Sequence, residues 1–103
     1  MNKLKKIESG KFRTWLSKLK DDIGKARITA RINRLIEGLP GDIAHVGPGI
    51  SELRIRYGPG YRVYFHQRGD TLIILLCGGD KGSQVRDIEA AQQILQAWRT
   101  QND

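Results

Sequence analysis

Three arginines stand at spacings that could assemble one anion site. Arg54 and Arg56 are two residues apart in Ser51-Glu52-Leu53-Arg54-Ile55-Arg56-Tyr57, a stretch that alternates apolar and polar residues. In an extended strand their side chains emerge on the same face. Arg62 follows the turn Gly58-Pro59-Gly60 in Tyr61-Arg62-Val63-Tyr64-Phe65-His66-Gln67, a second alternating stretch, and points the same way. Three neighbouring guanidiniums repel one another, and a polyanion or a carboxylate partner relieves that repulsion. The guanidinium fork matches phosphate oxygens in bidentate geometry and keeps its charge at all relevant pH. Tyr57, Tyr61 and Tyr64 are interleaved with these arginines and offer rings on which bases could stack. RNA binding or processing is the reading these residues favour. The plainer alternative is a solvent-facing strand that happens to carry arginine.

Metal-independent RNA transesterification is the chemistry such a set could perform. The 2′-OH attacks the adjacent phosphorus, and the protein supplies charge stabilisation and a proton shuttle. Arginine provides the first but does not deprotonate, so the second needs another group. Lys81 and His66 are the candidates. Arg62 is expected to face solvent, so that its removal costs little stability. His45, His66 and Cys77 have no metal-ligand spacing. No metal or cofactor is expected. Gly78-Gly79-Asp80-Lys81-Gly82-Ser83 and Gly58-Pro59-Gly60 lack the phosphate-loop patterns and read as turns. Cys77 reads as a small buried hydrophobe.

The elements that must position these residues follow from periodicity. Lys3 to Ile7 is a candidate short strand, although Leu4 and Ile7 do not alternate. Ser9 can cap a helix in which Phe12, Trp15, Leu16, Leu19 and Ile23 recur at helical spacing. Asp21-Asp22 breaks it, and one of them can cap a second helix with Ile28, Ile32, Leu35, Ile36 and Leu39 on one face. The two are expected to form an antiparallel hairpin. Asp42 to Val46 reads as a loop or short extended piece. The strands around Arg54 and Arg62 lead through Arg68-Gly69-Asp70 to Thr71–Cys77, which is apolar from Leu72 onward, as in a strand covered on both faces. Asp80 or Ser83 can cap a last helix carrying Ile88, Ala91, Leu95 and Trp98, with fraying expected at Gln101, Asn102 and Asp103. The predicted architecture is α+β. An N-terminal helix hairpin packs on a three- to four-stranded antiparallel sheet, and a C-terminal helix follows. The helices cover one sheet face and leave part of the other open.

The 103 residues suffice for one domain, 1–103, and their 39% hydrophobic and 28% charged content is that of a folded globular chain rather than a disordered one. No apolar run approaches a membrane span. The basic start Met1-Asn2-Lys3-Leu4-Lys5-Lys6-Ile7 leads into no signal core, and a lone cysteine suits a reducing compartment, so a cytoplasmic location is expected. The net charge of +7 sits almost wholly in residues 1–38, which hold 11 Lys/Arg against 4 Asp/Glu. A basic first third of this kind is suited to a polyanion. Lys18, Lys20 and Arg27 lie off the apolar helix faces and are the expected RNA-docking residues.

The stretch Glu52 to Phe65, containing Gly-Pro-Gly-Tyr-Arg-Val-Tyr-Phe, followed by Cys77-Gly78-Gly79-Asp80-Lys81, resembles the RelE/ParE toxin superfamily, and within it the HigB-like addiction module killer proteins. The resemblance runs from about Phe12 to Trp98. It implies a RelE-like fold and the toxin half of a type II toxin–antitoxin pair. Ribosome-dependent members cut messenger RNA in the ribosomal A site. Arg54 and Arg56 match the two basic residues before the turn in those members, Arg62 matches the arginine of a Gly-Tyr-Arg motif, and Lys81 matches the basic residue after the last strand's glycine. A tyrosine that RelE carries near its C-terminal end has no counterpart in Gln84–Ile88. The implied partners are a cognate antitoxin, the ribosome with its mRNA, operator DNA only through the antitoxin complex, and no membrane. ParE-like members inhibit DNA gyrase without cleaving RNA. That activity, or an inactive binding module in an autoregulatory complex, is the alternative.

Overall fold

The computed structural model describes residues 3–102, so Met1, Asn2 and the expected fraying of Asp103 lie outside the described residues. The order of elements is β1 (Lys5–Glu8), α1 (Gly10–Lys18), α2 (Asp22–Ile36), β2 (Ile43–Gly47), β3 (Ile50–Arg54), β4 (Arg62–Arg68), β5 (Leu72–Gly79), a 3-10 turn (Lys81–Ser83) and α3 (Gln84–Asn102). Ser9 caps α1 by accepting from the Phe12 amide at 3.0 Å, and Asp21 caps α2 by accepting from the Gly24 amide at 2.9 Å. Asp80 caps the 3-10 turn, with Ser83 bonding back to complete a capping box. α3 runs through Asn102, whose side-chain amide donates to the Trp98 carbonyl.

The protein is α+β, but its sheet is larger than the periodicity indicates. Five strands run in the order β1-β5-β4-β3-β2. β1 pairs parallel to β5, and the other pairs are antiparallel, so the sheet is mixed rather than antiparallel with three or four strands. The two strands with weak sequence signals are the edges. β1 is mostly exposed, and β2 is half-buried and interrupted by a register shift between His45 and Gly47. An edge strand needs pairing on one side only, so its sequence is under little pressure to alternate. The expected helix hairpin is likewise not the organising unit. α1 lies directly on β5, and both N-terminal helices are laid on one sheet face.

That face buries Phe12, Ile28, Ile32 and Leu35 against Leu53, Ile55, Val63, Phe65, Ile73 and Leu75. The other face is not left open along its length. α3 covers it, burying Ala91 and Leu95 against Ile50, Tyr64, Ile74, Leu76 and Cys77. Leu76 and Cys77 both face α3 because the β4–β5 register shifts at Tyr64/Phe65, where Tyr64 pairs with Cys77 and Phe65 with Leu75. The bulge also turns Gly78 toward α1. A Cβ there would stand 2.3 Å from the Trp15 ring, so the close approach of helix and strand requires glycine.

Candidate functional site

The end of the sheet where β3 stops and β4 begins is the part of the α3 face that the helix leaves uncovered. Arg54 and Arg62 are direct partners across the β3–β4 pair. The chain between them closes through Gly58 and Gly60, at φ 58° and 78°, a left-handed conformation natural to glycine. The Ile55 amide donates to the Tyr61 carbonyl at 2.9 Å and the Gly60 amide to the Tyr57 carbonyl at 3.1 Å. The Lys81 amide reaches the Pro59 carbonyl at 3.5 Å, which brings the segment after β5 against this turn. The result is a cleft of about 180 Å³ lined by Arg54, Ile55, Arg56, Gly60, Tyr61, Arg62 and Lys81. All four cations expected to act on a phosphate therefore share one cleft. β3 ends at Arg54, yet Arg56 still lines the cleft from the loop beyond it.

Carboxylates hold three of these cations. Glu52 is completely buried and accepts from Arg54 Nε at 2.8 Å and from Gln84 Nε2, at the start of α3, at 2.7 Å. Its other oxygen lies 3.4 Å from Arg62 Nε. Asp42 accepts from Arg56 Nε at 2.8 Å and stands 3.9 Å from Arg54 Nη1. Burial pushes the Glu52 pKa up, but its bonds from Arg54 and Gln84 and the charge of Arg62 outweigh that, and the carboxyl titrates below its ordinary range. Arg56 remains 82% exposed and Arg54 38%, whereas Arg62 is 14% exposed. The expectation of a solvent-facing Arg62 is corrected here, because its guanidinium is drawn in between the buried Glu52 carboxylate and the Gly60 carbonyl. Arg62 also donates from Nη1 to the Gly60 carbonyl at 2.8 Å, so it stabilises the turn it follows. Glu52 lies two residues before Arg54 and so shares the arginine face, yet it was given no role from the sequence. Arg31 of α2 was also missed. It donates to the carbonyls of Arg54, Pro40 and Asp42 and ties both sides of the site to the helix.

The remaining expected residues are dispersed. Tyr61 lines the cleft, but its hydroxyl donates to Asp21 Oδ2 at 2.6 Å and its ring packs on Trp15. The Asp21 bond and burial push its pKa up to about 12, which makes it a poor proton carrier. Tyr64 is wholly buried beneath α3 and its hydroxyl makes no hydrogen bond. Burial and the Glu52 charge opposite it in register raise its pKa, and no base can stack on it. His66 is also buried under α3, where Nδ1 donates to the Gly49 carbonyl at 2.7 Å. Four residues of strand, roughly 13 Å, separate it from Arg62, so it is no proton shuttle for the cleft. Tyr57 is half-buried and carries the Arg27 guanidinium 4.7 Å over its ring, which extends the basic surface of α2 to the edge of the turn. Lys18 and Lys20 sit with Lys25 around an open depression of about 730 Å³ at the α1–α2 junction. Cys77 is buried and its thiol is pushed up to about 12.

Of the groups lining the cleft, the lysine ammonium of Lys81 is left as the one able to pass a proton, since arginine keeps its protons and Tyr61 is committed to Asp21. Two cross-strand guanidiniums, an exposed one and an ammonium can together hold a phosphodiester and stabilise charge growing on it. Among the described residues no group of His, Cys, Asp and Glu could hold a metal ion, and no helix is long and apolar enough to cross a membrane.

Fold and cleft together define a small α+β protein with a cationic cleft at one end of a five-stranded mixed sheet. No family model matches the chain. Over 85 residues it is 54% identical to a Haemophilus influenzae protein described as "Uncharacterized protein", a match that covers 82% of this chain and 86% of that one. The chain belongs to the family of that Haemophilus protein.

Proposed function

We propose that this protein is the toxin of a type II toxin–antitoxin pair with a RelE-like fold, acting in the cytoplasm as a metal-independent, ribosome-dependent mRNA endonuclease. The observation that carries the reading is the meeting of Arg54, Arg56, Arg62 and Lys81 in one cleft. These are the four positions that match the basic residues of ribosome-dependent relatives, and they come from three separate segments of the chain. The 2′-OH attacks the adjacent phosphorus and its proton passes to solvent. The bond from phosphorus to the 5′-oxygen breaks, and Lys81 protonates the departing oxygen. Arg54, Arg56 and Arg62 hold the phosphate oxygens as charge accumulates on them. Lys18, Lys20 and Arg27 dock ribosomal RNA through phosphates, which carry most of the affinity in such contacts. A cognate antitoxin covers the basic cleft with an acidic or amphipathic segment, and operator DNA is met only through that complex.

Two observations favour a second reading, binding without cleavage, as in a ParE-like gyrase inhibitor or an inactive module. Three of the four cleft cations already have carboxylate partners, and Gln84–Ile88 contains no tyrosine. Expression of the chain alone, followed by translation on programmed ribosomes and a gyrase supercoiling assay, separates the readings. Growth arrest with codon-spaced cuts is the expected result. Intact messages at verified soluble expression overturn the nuclease, and inhibited supercoiling then assigns the second reading.

A further inference from the structure

The cleft contains two carboxylates whose placement differs in one decisive respect. Asp42 stands at the rim, its side chain 28% exposed, and pairs with the exposed Arg56. An incoming phosphate competes with it for that guanidinium. Glu52 lies beneath the cleft with no exposure at all, accepts hydrogen bonds from Arg54 on its own strand and Gln84 at the start of α3, and forms an ion pair with Arg62 on β4 at 3.4 Å. No ligand of the cleft needs to displace it. It engages the Nε edges of Arg54 and Arg62 from below. Arg62 Nη1 is taken by the Gly60 carbonyl and Arg54 Nη1 faces Asp42, which leaves Nη2 of each guanidinium as the group set to meet a ligand.

From this geometry we infer that Glu52 is a positioning residue, whose buried carboxylate fixes the Arg54 and Arg62 guanidiniums so that they bind one phosphate group together. The inference rests on the reading of the cleft as a phosphate site. It makes a prediction opposite to that of simple charge. Removing a negative charge from a cationic cleft should tighten anion binding by Coulomb attraction alone. Losing the Glu52 carboxylate frees two flexible side chains, and their ordering must then be supplied at the moment of binding.

The test uses the full chain, inorganic phosphate as the probe, and the NMR signals of the arginine Nε–H groups. Wild type is expected to show phosphate-dependent shifts at Arg54 and Arg62. Asp42→Asn is expected to bind phosphate severalfold more tightly, and Glu52→Gln at least tenfold more weakly, with the Arg54 Nε–H signal losing its protection from exchange. Equal or tighter phosphate binding by Glu52→Gln overturns the positioning role and leaves the phosphate cleft standing. Absence of any phosphate response at Arg54 and Arg62 in the wild-type chain overturns both. If Glu52→Gln does not fold, Glu52→Asp keeps the charge and withdraws it by one methylene. Weaker phosphate binding by that variant supports the role, and wild-type affinity overturns it.

Discussion

Replacing Arg62 with alanine should damage both stability and catalysis, and separating the two is the sharpest check on the site. The substitution removes a guanidinium that is 14% exposed and stands 3.4 Å from a carboxylate with no exposure. Breaking a fully buried pair costs about 3–5 kcal/mol. Glu52 keeps its direct bonds from Arg54 and Gln84, so the smaller cost of a partly satisfied buried acceptor applies, about 1–3 kcal/mol. At roughly 4–8 °C per kcal/mol for a domain of this size, a loss of about 2 kcal/mol lowers Tm by roughly 8–16 °C. Cleavage should fall by about 10²–10³, the usual cost of losing one donor to a developing oxyanion. Arg62→Lys separates the effects. It keeps a charge beside Glu52 but lacks the planar fork, so Tm should recover most of the loss while cleavage stays low. Thermal unfolding and cleavage on programmed ribosomes are measured on the same preparations. An unchanged Tm in Arg62→Ala refutes the ion-pair argument, and wild-type cleavage by Arg62→Lys removes the fork from the mechanism.

Three other outcomes follow from the same geometry. Glu52 faces Arg54, Arg62, Gln84 and Tyr64, and its folded pKa is depressed, so its contribution to stability is complete above the ordinary value of 4.5 and is lost as pH falls through the folded pKa; urea unfolding from pH 7 to 3 should show this acid loss in wild type and less of it in Glu52→Gln. Tyr64→Phe deletes a buried hydroxyl that makes no hydrogen bond, so Tm should be unchanged or higher and ribosome binding unaffected; a loss of ribosome binding at unchanged Tm would return Tyr64 to the RNA surface. Charge reversal at Lys18, Lys20 and Arg27 together should weaken ribosome pelleting and flatten its dependence on salt, with Tm moved little beyond the loss of the Arg27–Tyr57 contact; unchanged pelleting places the docking surface elsewhere.

Much of this architecture was legible because burial imposes a period. α2 buries Ile28, Ile32 and Leu35 along one stripe, and β5 is apolar at every position because helices cover both its faces. β1 and β2 were faint because edge strands escape that constraint. Lys5, Lys6 and Ile7 are exposed, and Ile43 and Val46 are only half-buried.

The candidate site divides along the same physical line. Alternation correctly put Arg54 and Arg62 on one face, since a two-residue period needs no knowledge of the rest of the fold. What lies over that face depends on where α3 returns, and no local pattern in residues 50–68 encodes it. With α3 on the opposite face from α1 and α2, one half of the arginine face becomes core and the other half stays a cleft. Tyr64 and His66 fall on the covered half and are buried. Arg54 and Arg62 fall at its margin, where a charge can keep one end in water. Glu52 sits between the two regimes, directly opposite Tyr64 in register and two residues from Arg54. A carboxylate at that boundary stays charged only because two guanidiniums and the amide of Gln84 meet it from three elements. The feature that organises the cleft was therefore the one least visible in the sequence, because its environment is assembled from residues 52, 54, 62 and 84 only after the sheet and α3 have come together.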